Sequence, residues 1–394
     1  MLHDFPSIDY VMSLTPTGMR EGRDSVIRIM EILWNPQNKL QVFHVTGSNG
    51  KWSVCQMLSQ VLWKSFWKKV GLFTSPHFIK INERFQINGT PITDNTLEKY
   101  YRQVIELSEK YDILLSFFEI QVIVMVLYFV AEQVEYAVVE VGLGGTYDGT
   151  NIFKKPLACF ITSIALEHTH VLGKTRTSIL KNKLGIIKNG TILYTPLRSK
   201  LIEETCKKDN VSLHTLSPDE KKKTNLPWAH QEKNAGLVFE ALKDLGFNTQ
   251  EIEKGLQDIY NPGRFEWITP HILVDTANNR ENIRILKNMI RKLNHKKILA
   301  IYGTTQIDTA YVGELAQMIP TEKRILVDDF CDRALPCETY KKTVKHNEVI
   351  HLSSEAEEIE KLLQDKEYKI IIYGSFYLVW EIMKLSIYKS FAMK

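Results

Sequence analysis

The chain has 394 residues, 44% of them hydrophobic and 24% charged, and a formal net charge of +4. That length indicates two domains rather than one, and the composition is that of a globular protein with sizeable cores, not a disordered or fibrous chain. So mild a charge suits small anionic ligands, and without a face-long basic stripe it speaks against a nucleic-acid binder. Five scattered cysteines, Cys55, Cys159, Cys206, Cys331 and Cys337, form no CxxC pair. This spacing suggests neither a disulfide framework nor a zinc site, and reduced thiols in a cytoplasmic protein are the simplest reading. The N-terminal MLHDFPSIDY lacks the basic and apolar regions of a secretory signal.

In chain order, VFHVTG (42–47) reads as a strand running into a glycine turn, and SVCQMLSQVLWKSF (53–66) as the helix behind it. The most apolar run, LLSFFEIQVIVMVLYFV (114–130), is interrupted by Glu119 and Gln121. Its clean part is too short to cross a bilayer, so it reads as a buried helix and no membrane is expected. YAVVEVG (136–142), LACFITSIA (157–165) and GTILYTP (190–196) are further buried strands. Continuous apolar strands separated by helices predict an α/β fold, a parallel sheet covered on both faces, with ligands at the carboxyl ends of its strands. Polar or glycine residues stand there three times, at 47–53, 140–145 and 167–170. After the turn-rich NPGRF (261–265), a second α/β pattern begins at HILVDTANN (271–279) and continues in KKILAIYG, KRILVDD and YKIIIYGS. The domain boundary is placed near residue 268.

The stretch HVTGSNGKWSVCQM (44–57) carries the residue types of a phosphate loop. Gly47, Ser48, Asn49 and Gly50 would let backbone N–H groups approach a phosphate at a helix N-terminus; Lys51 would neutralise it, and Ser53 could reach a magnesium ion. The formal pattern fails twice, at Val45 and at Trp52, so an ordinary strand-to-helix turn stays open on the loop alone. Glu140 ends a buried strand, where a free carboxylate is costly unless it meets a cation, with a structural ion pair as the alternative. His168 alone reads as a hydrogen-bonded histidine, and Lys183 alone as a solvated helix lysine.

GLFTSPHF (71–78), FFE (117–119), VVEVGLGGTYDGTN (138–151), SIALEHTHVLG (163–173), KNKLGIIKNG (181–190), HQEKNA (230–235), NPGRFE (261–266) and YGSFYLV (373–379) follow in this order. Together they resemble the folylpolyglutamate synthase and dihydrofolate synthase family of the wider Mur ligase group, over about the whole chain. That family's loop reads GTNGKGS, so GSNGKWS matches in register with Trp52 for glycine. The resemblance implies a P-loop-type parallel-sheet ATPase domain over 1–268 and a smaller Rossmann-like domain over 269–394. It implies ATP-driven joining of L-glutamate to a folate or dihydropteroate carboxylate through an acyl phosphate, with ATP and two magnesium ions required.

By the same resemblance, Lys51, His168 and Lys183 would be catalytic, with Lys183 carried as a carbamate. Ser53, Ser75, Glu140, His168 and Lys183 would hold the metals. Gly47 to Lys51, Ser53, Asn234, Arg264 and Asp275 would bind ATP, the last two beside the domain boundary, which puts the nucleotide in an interdomain cleft. Arg20, Phe117, Phe118, Tyr147, Asp148 and Gly149 would bind the pterin substrate. A helix N-cap is the alternative for Asp275. A cytoplasmic monomer is expected. The chain departs from the family at Trp52, at Thr146 for arginine, at Glu167 for aspartate and at Asn278 for histidine, and no lysine-aspartate segment is recognisable at 302–310. A Mur-type ligase on another carboxylate, or a nucleotide-binding protein without ligase activity, are the competing readings.

Overall fold

The computed structural model describes residues 5–14, 23–77, 80–293, 297–305, 309–331, 334–344 and 348–385. The fold is mixed α/β in two compact units, Met1–Tyr260 and Asn261–Lys394. The division precedes residue 268 because the strand Glu266–Thr269 hairpins onto Ile272–Asp275 and so belongs with the second sheet.

The first unit is built on an eight-stranded sheet. Its strands are β1 (Val42–Thr46), β2 (Val70–Phe73), β3 (Phe85–Ile87), β4 (Thr90–Pro91), β5 (Tyr136–Glu140), β6 (Ala158–Ile161), β7 (Ile192–Thr195) and β8 (Ser212–Thr215). Their order is β4-β3-β2-β5-β1-β6-β7-β8. All neighbours are parallel except at the β2-β3-β4 edge. Strand β1 lies between β5 and β6, with Val45 opposite both Glu140 and Phe160. Three strand ends from distant parts of the sequence therefore open onto one spot.

The central strands are buried on both faces. Phe43, Val45 and Val138 pack with Val54, Leu58 and Leu237 on one side, and Ala137 and Val139 pack with Ile123 and Met125 on the other. The apolar run forms the helix Phe117–Ala131. Its two polar residues have local work. Glu119 closes a capping box, accepting the Ser116 N–H at 2.7 Å, and Gln121 accepts the Tyr101 hydroxyl at 2.6 Å. No helix of the described residues is long and apolar enough to cross a membrane.

The second unit carries a six-stranded sheet, ordered β13-β12-β11-β14-β10-β9. The strands are β9 (Glu266–Thr269), β10 (Ile272–Asp275), β11 (Ile298–Tyr302), β12 (Lys323–Asp328), β13 (Glu348–His351) and β14 (Lys369–Tyr373). Only β9 runs antiparallel. Beyond the strands read from sequence, the two sheets gain β2, β3, β4, β8, β9 and β13. Most of these are edge strands, too short or too polar to show a buried run.

Candidate nucleotide and metal site

The turn after β1 is held from outside. Ser48 N–H donates to Ser163 O and Asn49 N–H to Ser163 Oγ, both at 2.9 Å. The Thr162 and Ser163 hydroxyls donate back to Asn49 O at 2.6 and 2.9 Å. This lacing explains the two glycines. A Cβ on Gly47 would meet Thr162 Oγ1 at 1.9 Å, and Gly50, with φ +91°, has Asn234 Oδ1 3.1 Å from where its Cβ would stand. The helix Lys51–Gln60 then starts with no side-chain cap. An uncapped helix N-terminus is favourable ground for an anion. Lys51 curls over the loop, its Nζ donating to Gly47 O at 2.9 Å. Trp52 is buried, so the ring that breaks the loop pattern sits inside the domain.

Ser53 Oγ accepts from Gln231 Nε2 at 3.1 Å, and Gln231 Oε1 accepts from Asn234 Nδ2 at 2.9 Å. Gln231 is a site residue the sequence reading passed over. Its signal was HQEKNA: positions three apart on a helix share a face.

Glu140, at the end of β5, is buried and accepts the Ser75 N–H at 3.1 Å. The two proposed metal residues meet, though through the serine's backbone. Lys183 is the last residue of the helix Arg176–Lys183 and is only 1% exposed. Its Nζ lies 2.9 Å from Glu167 Oε1. Burial, joined by the charge of Lys51, pushes its pKa down to about 8 against the pull of Glu167. Burial would raise the Glu167 carboxyl, but Lys51 and Lys183 together hold it below its ordinary value. Lys51, Glu167 and Lys183 thus form one electrostatic group. Glu167, noted in the sequence only as a departure, is its anion. His168 takes the left-handed backbone, φ 43°. Burial and, after it, the Lys51 charge lower its pKa although Glu167 opposes them, which leaves a neutral imidazole.

Thr146 has its own role. Its N–H and its hydroxyl both donate to Asn182 O, at 3.0 and 2.8 Å, and so pin the residue before Lys183.

The residues expected to bind the pterin divide. The Asp148 carboxylate accepts the N–H groups of Leu143 and Thr150 at 2.7 and 3.0 Å and the Thr150 hydroxyl at 2.5 Å. It shapes the loop, and burial raises its pKa against those bonds. Phe118 packs 6.1 Å from Phe73 and fills the space where Gly142 would carry a Cβ. A Cβ on Gly149 would meet Val122 and Phe118 only at ordinary contact distance. Phe117 lies under the guanidinium of Arg84 at 5.2 Å, and Tyr147 is 59% exposed. Arg20 lies outside the described residues.

In the second unit, Asp275 ends β10, buried, and accepts the N–H groups of Phe265 and Ala277, each at 2.8 Å. Burial pushes its pKa up to about 6, with the charge of Arg264 pulling the other way. It is not a helix cap; Asn279 is, accepting from Asn282 N–H at 3.0 Å. Asn278 is exposed, and residues 306–308 of the 302–310 segment lie outside the described residues.

The model of the Mur ligase middle domain matches residues 45–253. The dihydrofolate synthase/folylpolyglutamate synthase of Bacillus subtilis is 27% identical, over 93% of this chain and 95% of that protein. The mitochondrial folylpolyglutamate synthase of Cricetulus griseus is 33% identical over 52% of this chain, a match spanning only 37% of that longer protein. Among solved structures, the bifunctional folylpolyglutamate synthase/dihydrofolate synthase of Yersinia pestis, complexed with AMPPNP and Mn, superposes with a TM-score of 0.82. It is 24% identical, with 95% of this chain and 96% of that one covered. At that identity the likeness speaks for the fold.

Proposed function

Because the chain belongs to the Mur ligase family, whose middle domain it carries at residues 45–253, we propose that it is an ADP-forming ligase for L-glutamate and a folate or dihydropteroate. The substrate carboxylate attacks the γ-phosphorus of ATP, ADP leaves, and an acyl phosphate forms. The glutamate amine then attacks the acyl carbon, phosphate departs, and the amine's proton is lost. The supporting relatives are the synthases of both kinds named above.

The observation that carries this reading is the group Lys51, Glu167 and Lys183 beside a laced glycine turn. A triphosphate and a carboxylate repel each other, so cations must gather them. Lys51 sits where it can leave Gly47 O for a phosphate oxygen, and the turn's backbone and uncapped helix add donors. Gln231 holds Ser53, and Asn234, bonded to Gln231, fills the space beside Gly50. Arg264 and Asp275 are assigned to the nucleotide as well. For the pterin we assign Arg20, Phe117, Phe118, Tyr147, Asp148 and Gly149, with Asp148 also shaping its own loop.

The donor set fits magnesium: a buried carboxylate at Glu140, the Ser53 and Ser75 hydroxyls and a neutral His168. Lys183 fits as found only after its free amine adds to the carbon of carbon dioxide, forming an N–C bond and releasing a proton. The cation then becomes an anion able to ligate a second ion. Bound magnesium supplies charge neutralisation at the phosphates. The proposal includes a monomer working in the cytoplasm.

The test is ADP release from purified protein with ATP, magnesium and L-glutamate, comparing dihydropteroate, a reduced folate and neither. Release that needs glutamate and one pterin supports the ligase and names its substrate. ATP binding without release under any condition would leave a nucleotide-binding protein. Release with a different carboxylate would shift the reading to another Mur-type ligase.

A further inference from the structure

In the second unit, β12 and β13 run parallel with Asp328 in register with His351, so both residues stand at the carboxyl ends of adjacent strands. The helix Cys337–Thr343 begins at the same place. The Cys337 N–H donates to Asp328 Oδ2 at 2.7 Å. One ligating atom from each of Asp328, Cys337 and His351 lies within 4.8 Å of the others. Asp328 and Cys337 are 5% and 7% exposed, while the His351 side chain is 46% exposed.

The second oxygen of Asp328 is unusual. Oδ1 is buried and makes no hydrogen bond among the described residues. His351 Nδ1 lies 2.8 Å from it, an ion-pair distance, without a hydrogen bond joining the two. A buried carboxylate oxygen without a donor is costly. Together with the thiol, the imidazole and the carboxylate bring three different ligand types within the span of one ion's ligand shell. The Cys337 thiol beside them is buried, with Lys341 as a hydrogen-bonding neighbour that a bound metal would replace.

We propose that Asp328, Cys337 and His351 bind a divalent transition metal of the zinc class, with water in a fourth position on the exposed His351 side. Thiolate and imidazole select such ions over magnesium, which prefers oxygen donors throughout. On binding, the Cys337 thiol gives its proton to solvent and its sulfur bonds to the metal. The ion would tie β12, β13 and the start of the helix Cys337–Thr343 together. The three residues all belong to the second unit, and the proposal stands whether or not the chain is a ligase.

The experiment strips the full chain with a chelator under reductant and titrates it with Co²⁺, whose thiolate bond gives a near-ultraviolet charge-transfer band. The expected result is a saturable band that added Zn²⁺ abolishes, that is missing in Cys337→Ser, and whose midpoint weakens roughly tenfold or more in His351→Ala. No saturable band in the parent protein overturns the proposal, as does a band of undiminished strength in Cys337→Ser. Should Cys337→Ser fail to fold by circular dichroism, His351→Ala decides, because that side chain is half-exposed. An unchanged midpoint there also overturns the proposal.

Discussion

Lys183 offers the sharpest test of the ligase reading. With its pKa near 8 rather than 10.5, about one Lys183 in ten is the free amine at pH 7, against about one in three thousand for an ordinary lysine. Only the free amine reacts with carbon dioxide, so burial and Lys51 enrich the reactive form by roughly 300-fold. The free fraction rises about tenfold per pH step below 8 and levels off above it. ADP release should therefore need carbon dioxide and climb with pH towards 8. Lys183→Arg keeps a cation for Glu167 but cannot form the carbamate. It should cost roughly a hundredfold in turnover and be indifferent to carbon dioxide. The assay is glutamate-dependent ADP release in degassed buffer, with and without added bicarbonate, alongside ¹³C NMR of protein given labelled bicarbonate. Full turnover after rigorous removal of carbon dioxide, with no labelled carbamate signal, would refute the reasoning.

Four further outcomes are expected. Lys51→Ala abolishes ADP formation with an unchanged circular dichroism spectrum, and undiminished turnover would remove the phosphate role. Glu140→Gln raises the magnesium concentration needed for half-maximal activity, and an unchanged titration would count against the ligand assignment. Gly47→Ala forces Thr162 Oγ1 out of its bond to Asn49 O and destabilises the first unit by about 1–3 kcal/mol in chemical denaturation; a neutral effect would mean the turn is not laced as described. For Asp275, the folded state binds the proton more tightly than the unfolded chain, from 3.8 up to about 6. Its contribution therefore falls as pH rises through that window, a slope that Asp275→Asn should lack. Parallel stability–pH curves for the two proteins would contradict the buried carboxyl.

The secondary elements around the site were readable because their signals are local. A buried strand shows as an apolar run, and the turn at Gly47 to Lys51 shows in its residue types. Trp52 posed a question the residues could not answer, since whether a ring breaks a loop depends on where it points, and it is buried. The cysteine spacing spoke against a zinc site because that pattern covers only ligands close in sequence. Asp328, Cys337 and His351 meet through strand register instead.

Sequence alone determined which residue types stand at each strand end, since periodicity and glycine placement act over a few neighbours. The sheet order β5-β1-β6 decided which of those ends share one spot. Ser53 finds Gln231 across 178 positions, and Thr146 finds Asn182 across 36. Glu167 became a partner rather than a departure only when the helix Arg176–Lys183 brought Lys183 within 2.9 Å of it. Side chains acquire such roles from burial and neighbouring charge, which exist only once distant segments have packed together.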